Sequence, residues 1–348
     1  MRKFDYRHMP RGLFGGKVGD ANVRVHQDKG RLDVLEQMHP ELLEPLREVA
    51  HVDSVDASAR IDGFYLDRSR VAQLVGGAVP QREVEAQIAG YSQALRMIER
   101  DADSLEFSTA TILAFYETLF QHRDLGRKSR YRRKDYMHVQ VGDHVETLPV
   151  SPITAFETPL VLGGACDSLA EAYDAEACSP LILAAVFTVD FLCIRPFDEG
   201  NGRISRLFAD FLLAKAGVSI SRYVSIDKVI EQHGMEYYDA LNACVDGWDK
   251  ERNDYAPFAL FWLEAIHEAY QTLFDKADLL AQAGSSKSER VRLFVQNATA
   301  PVTKRQVLGT FPDISEATVE NVLGKMVRDG EVRKIGMGRA TSYQSLKS

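Results

Sequence analysis

The chain has 348 residues, 45% of them hydrophobic and 26% charged, with a net charge of −8. That length exceeds one ordinary core and suits two or three domains, and the composition excludes a disordered chain. No apolar run approaches the roughly 20 residues a bilayer requires, so a membrane partner is not expected.

In chain order, the stretch Met1–Gly16 has charges but no apolar signal core. From Arg31 to Asp62 the apolar positions Leu32, Leu35, Met38, Leu42, Leu43, Leu46, Val49, Val52 and Val55 run close to helical spacing, interrupted or restarted at Pro40 and Pro45. Further helices are expected over Gln81–Arg100 and Thr109–His122. The run Arg127–Lys134 is mostly basic and fits a solvated loop as well as a role near phosphate or an acidic target. Tyr136–Val141, the turn Gly142-Asp143 and His144–Val150 read as a β-hairpin. Helices resume over Asp167–Ala177, Pro180–Ile194, Gly202–Ala216 and Tyr255–Leu280. Ala281–Ser288, small and polar, reads as a linker.

Cys166, Cys178, Cys193 and Cys244 show no Cys-x-x-Cys spacing and read as buried free thiols, so the expected location is cytoplasmic. No His-x-x-x-His pair occurs, which argues against a transition-metal site.

The chemistry concentrates in Arg195-Pro-Phe-Asp-Glu-Gly-Asn-Gly-Arg-Ile-Ser-Arg206. Pro196 stops the preceding helix, and a Gly-rich turn opens the next one. Such a turn aims free backbone N–H groups and the positive end of the helix dipole at an anion. Arg203 and Arg206, three apart, fall on one side of the first turns and suit a phosphate clamp. Glu199 is placed to hold a divalent cation shared with phosphates. The plainer alternative is a structural glycine turn with solvated arginines, but the ordered set of acid, Gly, Asn, Gly, Arg and Arg favours an anion site.

This segment resembles the Fic family motif, His-x-Phe-x-Asp/Glu-Gly-Asn-Gly-Arg-x-x-Arg, matching it at Phe197, Glu199, Gly200, Asn201, Gly202, Arg203 and Arg206. The resemblance implies that Phe197 is a core anchor, Glu199 a Mg²⁺ ligand, and Asn201, Arg203 and Arg206 triphosphate contacts, with Gly200 and Gly202 shaping the nucleotide-binding turn. Arg195 stands where the family has its general-base histidine. Arginine keeps its proton to about pH 12, and a missing general base typically costs about 10²- to 10⁴-fold in rate. A hairpin histidine, His138 or His144, is a weaker candidate for a replacement base. The family's Doc branch has lysine where Gly202 stands, which disfavours its phosphotransfer chemistry here.

Ser58-Ala-Arg-Ile-Asp62-Gly63 is similar to the family's inhibitory helix, whose carboxylate pairs with the last motif arginine; here that pair is Asp62 with Arg206. Its plainer reading is a helix end with Gly63 just beyond it. The hairpin Tyr136–Val150 falls where the family has the flap that aligns a target segment.

Residues 285–348 carry 11 Lys and Arg against 6 Asp and Glu, a net +5, leaving −13 on the first 284. Helices expected over Ser288–Gln296, Thr303–Phe311 and Ser315–Asp329, then strands at Val332–Ile335 and Thr341–Gln344 around a basic turn with Arg339, give the layout of a winged helix-turn-helix. Its third helix mixes acids and bases, so DNA and protein partners both stay open.

The expected fold is therefore mainly α: a Fic-type helical bundle with a β-hairpin flap, plus a C-terminal winged helix-turn-helix domain. Expected domains are an N-terminal helical region at 1–100, the core at 101–280 and the winged helix at 285–348. The resemblance implies ATP and Mg²⁺ as cofactors. It also implies transfer of AMP to a hydroxyl side chain of a target protein, or of the chain itself, slowed by Arg195. The second class is a non-catalytic nucleotide sensor acting through the winged helix. A homodimer stays open.

Overall fold

Helix dominates the computed structural model, which describes residues 2–121, 131–135, 153–282, 286–296, 298, 301–311, 314–336 and 341–346. The hairpin expected over Tyr136–Val150, residues 127–130 of the basic run, His122, and Arg339 of the expected wing lie outside the described residues.

The helices run in the order α1 (Gly16–Met38), α2 (Pro40–Ile61), α3 (Arg68–Val75), α4 (Glu83–Asp101), α5 (Thr109–Leu119), α6 (Thr158–Asp174), α7 (Pro180–Ile194), α8 (Asn201–Lys215), α9 (Ile226–Gln232), α10 (Gly234–Val245), α11 (Ala256–Gln282), α12 (Lys287–Gln296), α13 (Lys304–Thr310) and α14 (Glu316–Arg328). The chain divides into two compact units: Met1–Leu32 with Ala50–Tyr270, and Asp33–Val49 with Gln271–Ser348. Residues on both sides of position 100 share the first unit.

Within the first unit α7 is the central element. Pro180 starts it where its missing N–H matters least, and every residue from Leu181 to Ile194 is buried. A helix that is apolar all round belongs in the middle of a bundle. It packs against α6 and α8, and α8 is buried from Asn201 to Leu213 apart from Gly202. Phe107, Phe115, Phe187, Phe208 and Phe211 interlock between these helices, with ring centroids 4.6–6.3 Å apart.

Several helices exceed the sequence expectation. α6 starts at Thr158, nine residues before the expected Asp167, and runs through Gly163-Gly164. Val161, Leu162, Ala165, Cys166, Leu169 and Ala172 bury one face continuously, and that burial outweighs the low helix propensity of two glycines. α3, capped by the Asp67 carboxylate accepting from the Ser69 N–H at 2.7 Å, is short and mixed in composition and gave no periodic signal.

In the second unit, α12, α13 and α14 pack with a three-stranded antiparallel sheet of order β1-β3-β2, where β1 is Val302–Thr303, β2 Val332–Ile335 and β3 Ser342–Ser345. Its core includes Val291, Val295, Val307, Phe311, Val319, Leu323 and Met326. Thr303 and Gln306 form a capping box on α13, and the Ser315 hydroxyl accepts from the Thr318 N–H to cap α14. The two-residue β1 is too short to announce itself by alternation.

All four cysteines are free thiols, Cys178 partly exposed and the others buried. Burial pushes Cys166, Cys178 and Cys244 up to about 12. Among the described residues no helix is long and apolar enough to cross a membrane.

Candidate active site

The motif loop joins the end of α7 to the start of α8. α7 stops at Arg195, which adopts a left-handed conformation (φ 48°, ψ 68°) while its N–H still donates to Phe191 O at 2.9 Å. For a residue with a Cβ this conformation costs about 1–2 kcal/mol, so the surrounding loop must impose it. Pro196 then removes any continuation of the helix. The buried Phe197 ring stacks on Tyr116 with centroids 4.1 Å apart and planes 17° apart.

The Asn201 side chain fastens the loop to itself. Its Oδ1 accepts from the Phe197 N–H at 3.0 Å, and its Nδ2 donates to the Phe197 carbonyl at 2.8 Å. Both polar atoms of the side chain are thus committed to the turn, and what Asn201 offers to a ligand is its backbone N–H. Gly200 is left-handed at φ 78°, and a Cβ there would lie 3.1 Å from the Phe120 ring. At Gly202 a Cβ would sit 3.3 Å from Arg206 Nη1 and 3.4 Å from Asp62 Oδ1. The first α8 bond that reaches back is Ile204 N–H to Gly200 O, at 2.9 Å. The N–H groups of Asn201, Gly202 and Arg203 have no acceptor among the described residues. Three free donors at a helix start form an anion cradle.

Two arginines and one carboxylate close the cradle. Arg203 Nη1 donates to Gln87 Oε1 on α4 at 2.7 Å, and its guanidinium lies 5.2 Å from the Phe64 ring and 5.8 Å from the Phe120 ring. Arg206 Nε and Nη2 donate to the Ser58 hydroxyl at 3.1 and 3.0 Å, and Nη2 also donates to the Ser58 carbonyl at 3.1 Å. Asp62 Oδ1 accepts from Arg206 Nη2 at 2.9 Å, and Asp62 Oδ2 lies 2.8 Å from Arg203 Nε. Asp62 thus bridges both motif arginines. It follows the end of α2, where Gly63 at φ 80° and the Phe64 N–H to Ala59 O bond (2.9 Å) turn the chain sharply.

Arg206 has a second counter-ion that the sequence did not announce. Asp227 Oδ1 on α9 is 3.7 Å from Arg206 Nε, while Asp227 Oδ2 accepts from the Tyr91 hydroxyl at 2.6 Å. Burial lowers the guanidinium's basicity, but Asp62 and Asp227 more than offset it, and the net shift is well upward. Burial also pushes Asp227 up and the neighbouring Asp210 well up, with Arg206 opposing the shift at both and the Tyr91 hydroxyl opposing it at Asp227.

Arg132 is the other residue missed. It belongs to the basic run Arg127–Lys134, yet its side chain is fully buried. It donates to the carbonyls of Ile153, Lys134 (3.1 Å) and Ile194 (3.5 Å), and its backbone N–H donates to Pro196 O at 2.8 Å. It therefore ties down the end of α7 and the first peptide of the loop. Nothing in a run of six bases with one serine and one tyrosine singles out the one that is buried.

Asp198 and Glu199 are exposed on the loop. Among the described residues no group of three His, Cys, Asp or Glu forms a ready metal cage. A loop carboxylate such as Glu199, beside an anion cradle, is the kind of group Mg²⁺ takes, since that ion keeps several waters and is held by one or two carboxylates together with phosphates.

A turn opening a helix, two buried arginines and a carboxylate across them thus make up the candidate anion site. Residues 106–213 match the model of the Fic/DOC family. The protein adenylyltransferase Fic of Aedes aegypti is 26% identical over 291 residues, covering 79% of this chain and 52% of that protein. The chain thus spans about half the length of that curated relative. Among solved structures, a Fic family protein from Desulfovibrio desulfuricans G20 has a TM-score of 0.63 at 17% identity, with 98% of this chain and 99% of that one covered. Fic-1 from C. elegans (residues 134–508) has a TM-score of 0.58 at 18% identity, covering 79% and 76%. Residues 106–213 are thus similar to the Fic/DOC family domain, and the helical fold around them is that of solved Fic proteins.

Proposed function

We propose that this protein is a Fic-type ATP-binding protein adenylyltransferase, held inactive by Asp62 and slowed by Arg195. The observation that carries the reading is the Asp62 carboxylate lying 2.8 and 2.9 Å from the two motif arginines. An internal anion sits there as a phosphate would. The family relative from Aedes aegypti, named as a protein adenylyltransferase, supports AMP transfer as the activity class.

In this reading the free N–H groups of Asn201, Gly202 and Arg203, with Arg203 and Arg206, bind the phosphates. Glu199 would hold Mg²⁺, which would supply charge neutralisation at the phosphates. Gly200 keeps the backbone close enough for that contact. Ser58 and Gly63 hold the inhibitory turn in place around Arg206. The residue lost is the base: Arg195 cannot accept the proton of an attacking hydroxyl. Positioning and charge stabilisation carry most of a loose phosphoryl-type transfer, so residual activity is expected.

Arg195 favours a second reading. A chain that binds ATP without turning it over is a nucleotide sensor, with the C-terminal unit (residues 285–348, read as a winged helix) contacting DNA or protein. In that unit Lys304 bonds Glu316 and Glu320 at 2.7 Å each, which offsets part of the acidic charge at the start of α14.

Calorimetry with ATP and Mg²⁺ tests the shared step. Saturable binding is expected, weakened about 10- to 150-fold in Arg203→Ala, the worth of a charged hydrogen bond. Equal affinities for the two proteins overturn the assignment of this turn as the phosphate site.

A further inference from the structure

Outside the motif loop, another guanidinium is held with more partners than packing requires. Arg2 is only 6% exposed at its side chain, although it lies near the start of the chain. Its Nη1 donates to the Trp248 carbonyl, and its Nη2 donates to Asn253 Oδ1 at 3.0 Å and to the Tyr255 hydroxyl. Its guanidinium carbon lies 4.5 Å from the Trp248 ring centroid, and Nη2 is 3.6 Å from Asp190 Oδ1.

Asp190 is completely buried on α7. It accepts from Trp248 Nε1 at 2.6 Å and the Tyr255 hydroxyl at 2.7 Å on Oδ1, and from the Tyr6 hydroxyl at 2.6 Å on Oδ2. Such a carboxylate in a helical core is tolerated only with its charge and lone pairs answered. The loop that completes the pocket is built for the task. Gly247 and Glu251 are both left-handed around a one-turn helix at Trp248–Lys250, and the Glu251 carboxylate accepts from the Lys3 N–H at 2.9 Å.

We infer that Asp190, Trp248, Asn253 and Tyr255 form a guanidinium-binding site, filled in cis by Arg2, whose occupancy holds the last turns of α7. The partners select arginine over lysine. Two forked nitrogens reach three acceptors while the flat group lies over an indole face, and a compact ammonium cannot do both. The site bears on the motif loop because Asp190 lies five residues before Arg195 on the same helix.

Chemical complementation in the full-length chain tests this without reference to nucleotide. Arg2→Ala strands a buried carboxylate, and its thermal midpoint should fall by roughly 10 °C. Nα-acetylarginine amide at millimolar concentration should raise that midpoint and change Trp248 fluorescence saturably, since a ligand that binds only the folded state stabilises it. It should also slow hydrogen exchange at the amides of residues 191–195. Nα-acetyllysine amide should do none of these, and the double variant Arg2→Ala, Asp190→Asn should respond to neither compound. If Arg2→Ala yields no folded protein, Arg2→Lys, which keeps a charge facing Asp190, takes the same titration. A midpoint unchanged in Arg2→Ala, equal rescue by the lysine compound, or rescue that persists without the Asp190 charge overturns the assignment.

Discussion

Asp62 places one carboxylate oxygen 2.9 Å from Arg206 Nη2 and the other 2.8 Å from Arg203 Nε, so a single short side chain occupies both motif arginines. Aspartate is one methylene shorter than the glutamate of the family's inhibitory helix. The left-handed Gly63 and the bond from Phe64 N–H to Ala59 O tighten the turn that follows α2. Ser58, one helical turn earlier, anchors the same guanidinium through its hydroxyl and carbonyl.

Removing that carboxylate should open the site. Asp62→Gly is expected to raise affinity for ATP and Mg²⁺ at least about tenfold, because a competing charged hydrogen bond of about 1.5–3 kcal/mol no longer has to be broken. Calorimetry on both proteins gives the comparison; unchanged affinity would mean that Asp62 and phosphate do not compete.

The clamp's pH dependence has a definite sign. Burial alone would raise the Asp62 carboxyl, but Arg206 and Arg203 outweigh it and hold it below its ordinary 3.8. A depressed folded value means the stabilisation is present above 3.8 and lost as pH falls through the lower one. The difference in thermal midpoint between wild type and Asp62→Asn should therefore stay constant from about pH 5 to 8 and shrink only under stronger acid. A difference that varies between pH 6 and 8 would point to another titrating group.

Arg206 also answers to Asp227, at 3.7 Å, and removing its charge leaves Asp62 to Arg203 alone and strips Asp227 of its arginine. Arg206→Met should destabilise the fold by about 3–5 kcal/mol, and adding Asp227→Asn should recover part of that loss. Urea denaturation of the two single variants and the double variant measures the coupling. Strict additivity would show that Arg206 and Asp227 act independently.

What the sequence made legible were features with strong local grammar. The α7 helix, apolar but for Thr188 and Asp190, the Pro180 start, the Gly200-Asn201-Gly202 turn and the Ser315 cap each follow from residue type at a known offset. Residues recruited across the fold left no such trace. Gln87, Tyr91, Asp227 and Arg132 reach the site from α4, α9 and the segment after α5, and no spacing rule links them to Arg203 or Arg206. Asn201 is a case in between. Its position in the motif was plain, but only the structure shows its side chain committed to the Phe197 backbone.

The proposed AMP transfer assigns the block to Asp62 and the missing base to Arg195. Its most direct test compares Asp62→Gly with the double variant Asp62→Gly, Arg195→His. Each is incubated with ATP and Mg²⁺, and self-modification is read by intact-mass spectrometry alongside calorimetric proof that both bind ATP. A base acts on the attacking hydroxyl in the transition state, whereas ground-state binding rests on Arg203, Arg206 and the loop amides. The account predicts an AMP adduct accumulating about 10²- to 10⁴-fold faster in the double variant, with affinity for ATP nearly unchanged. Equal rates in the two proteins, with ATP bound in both, would contradict it and leave the nucleotide sensor as the function of this fold.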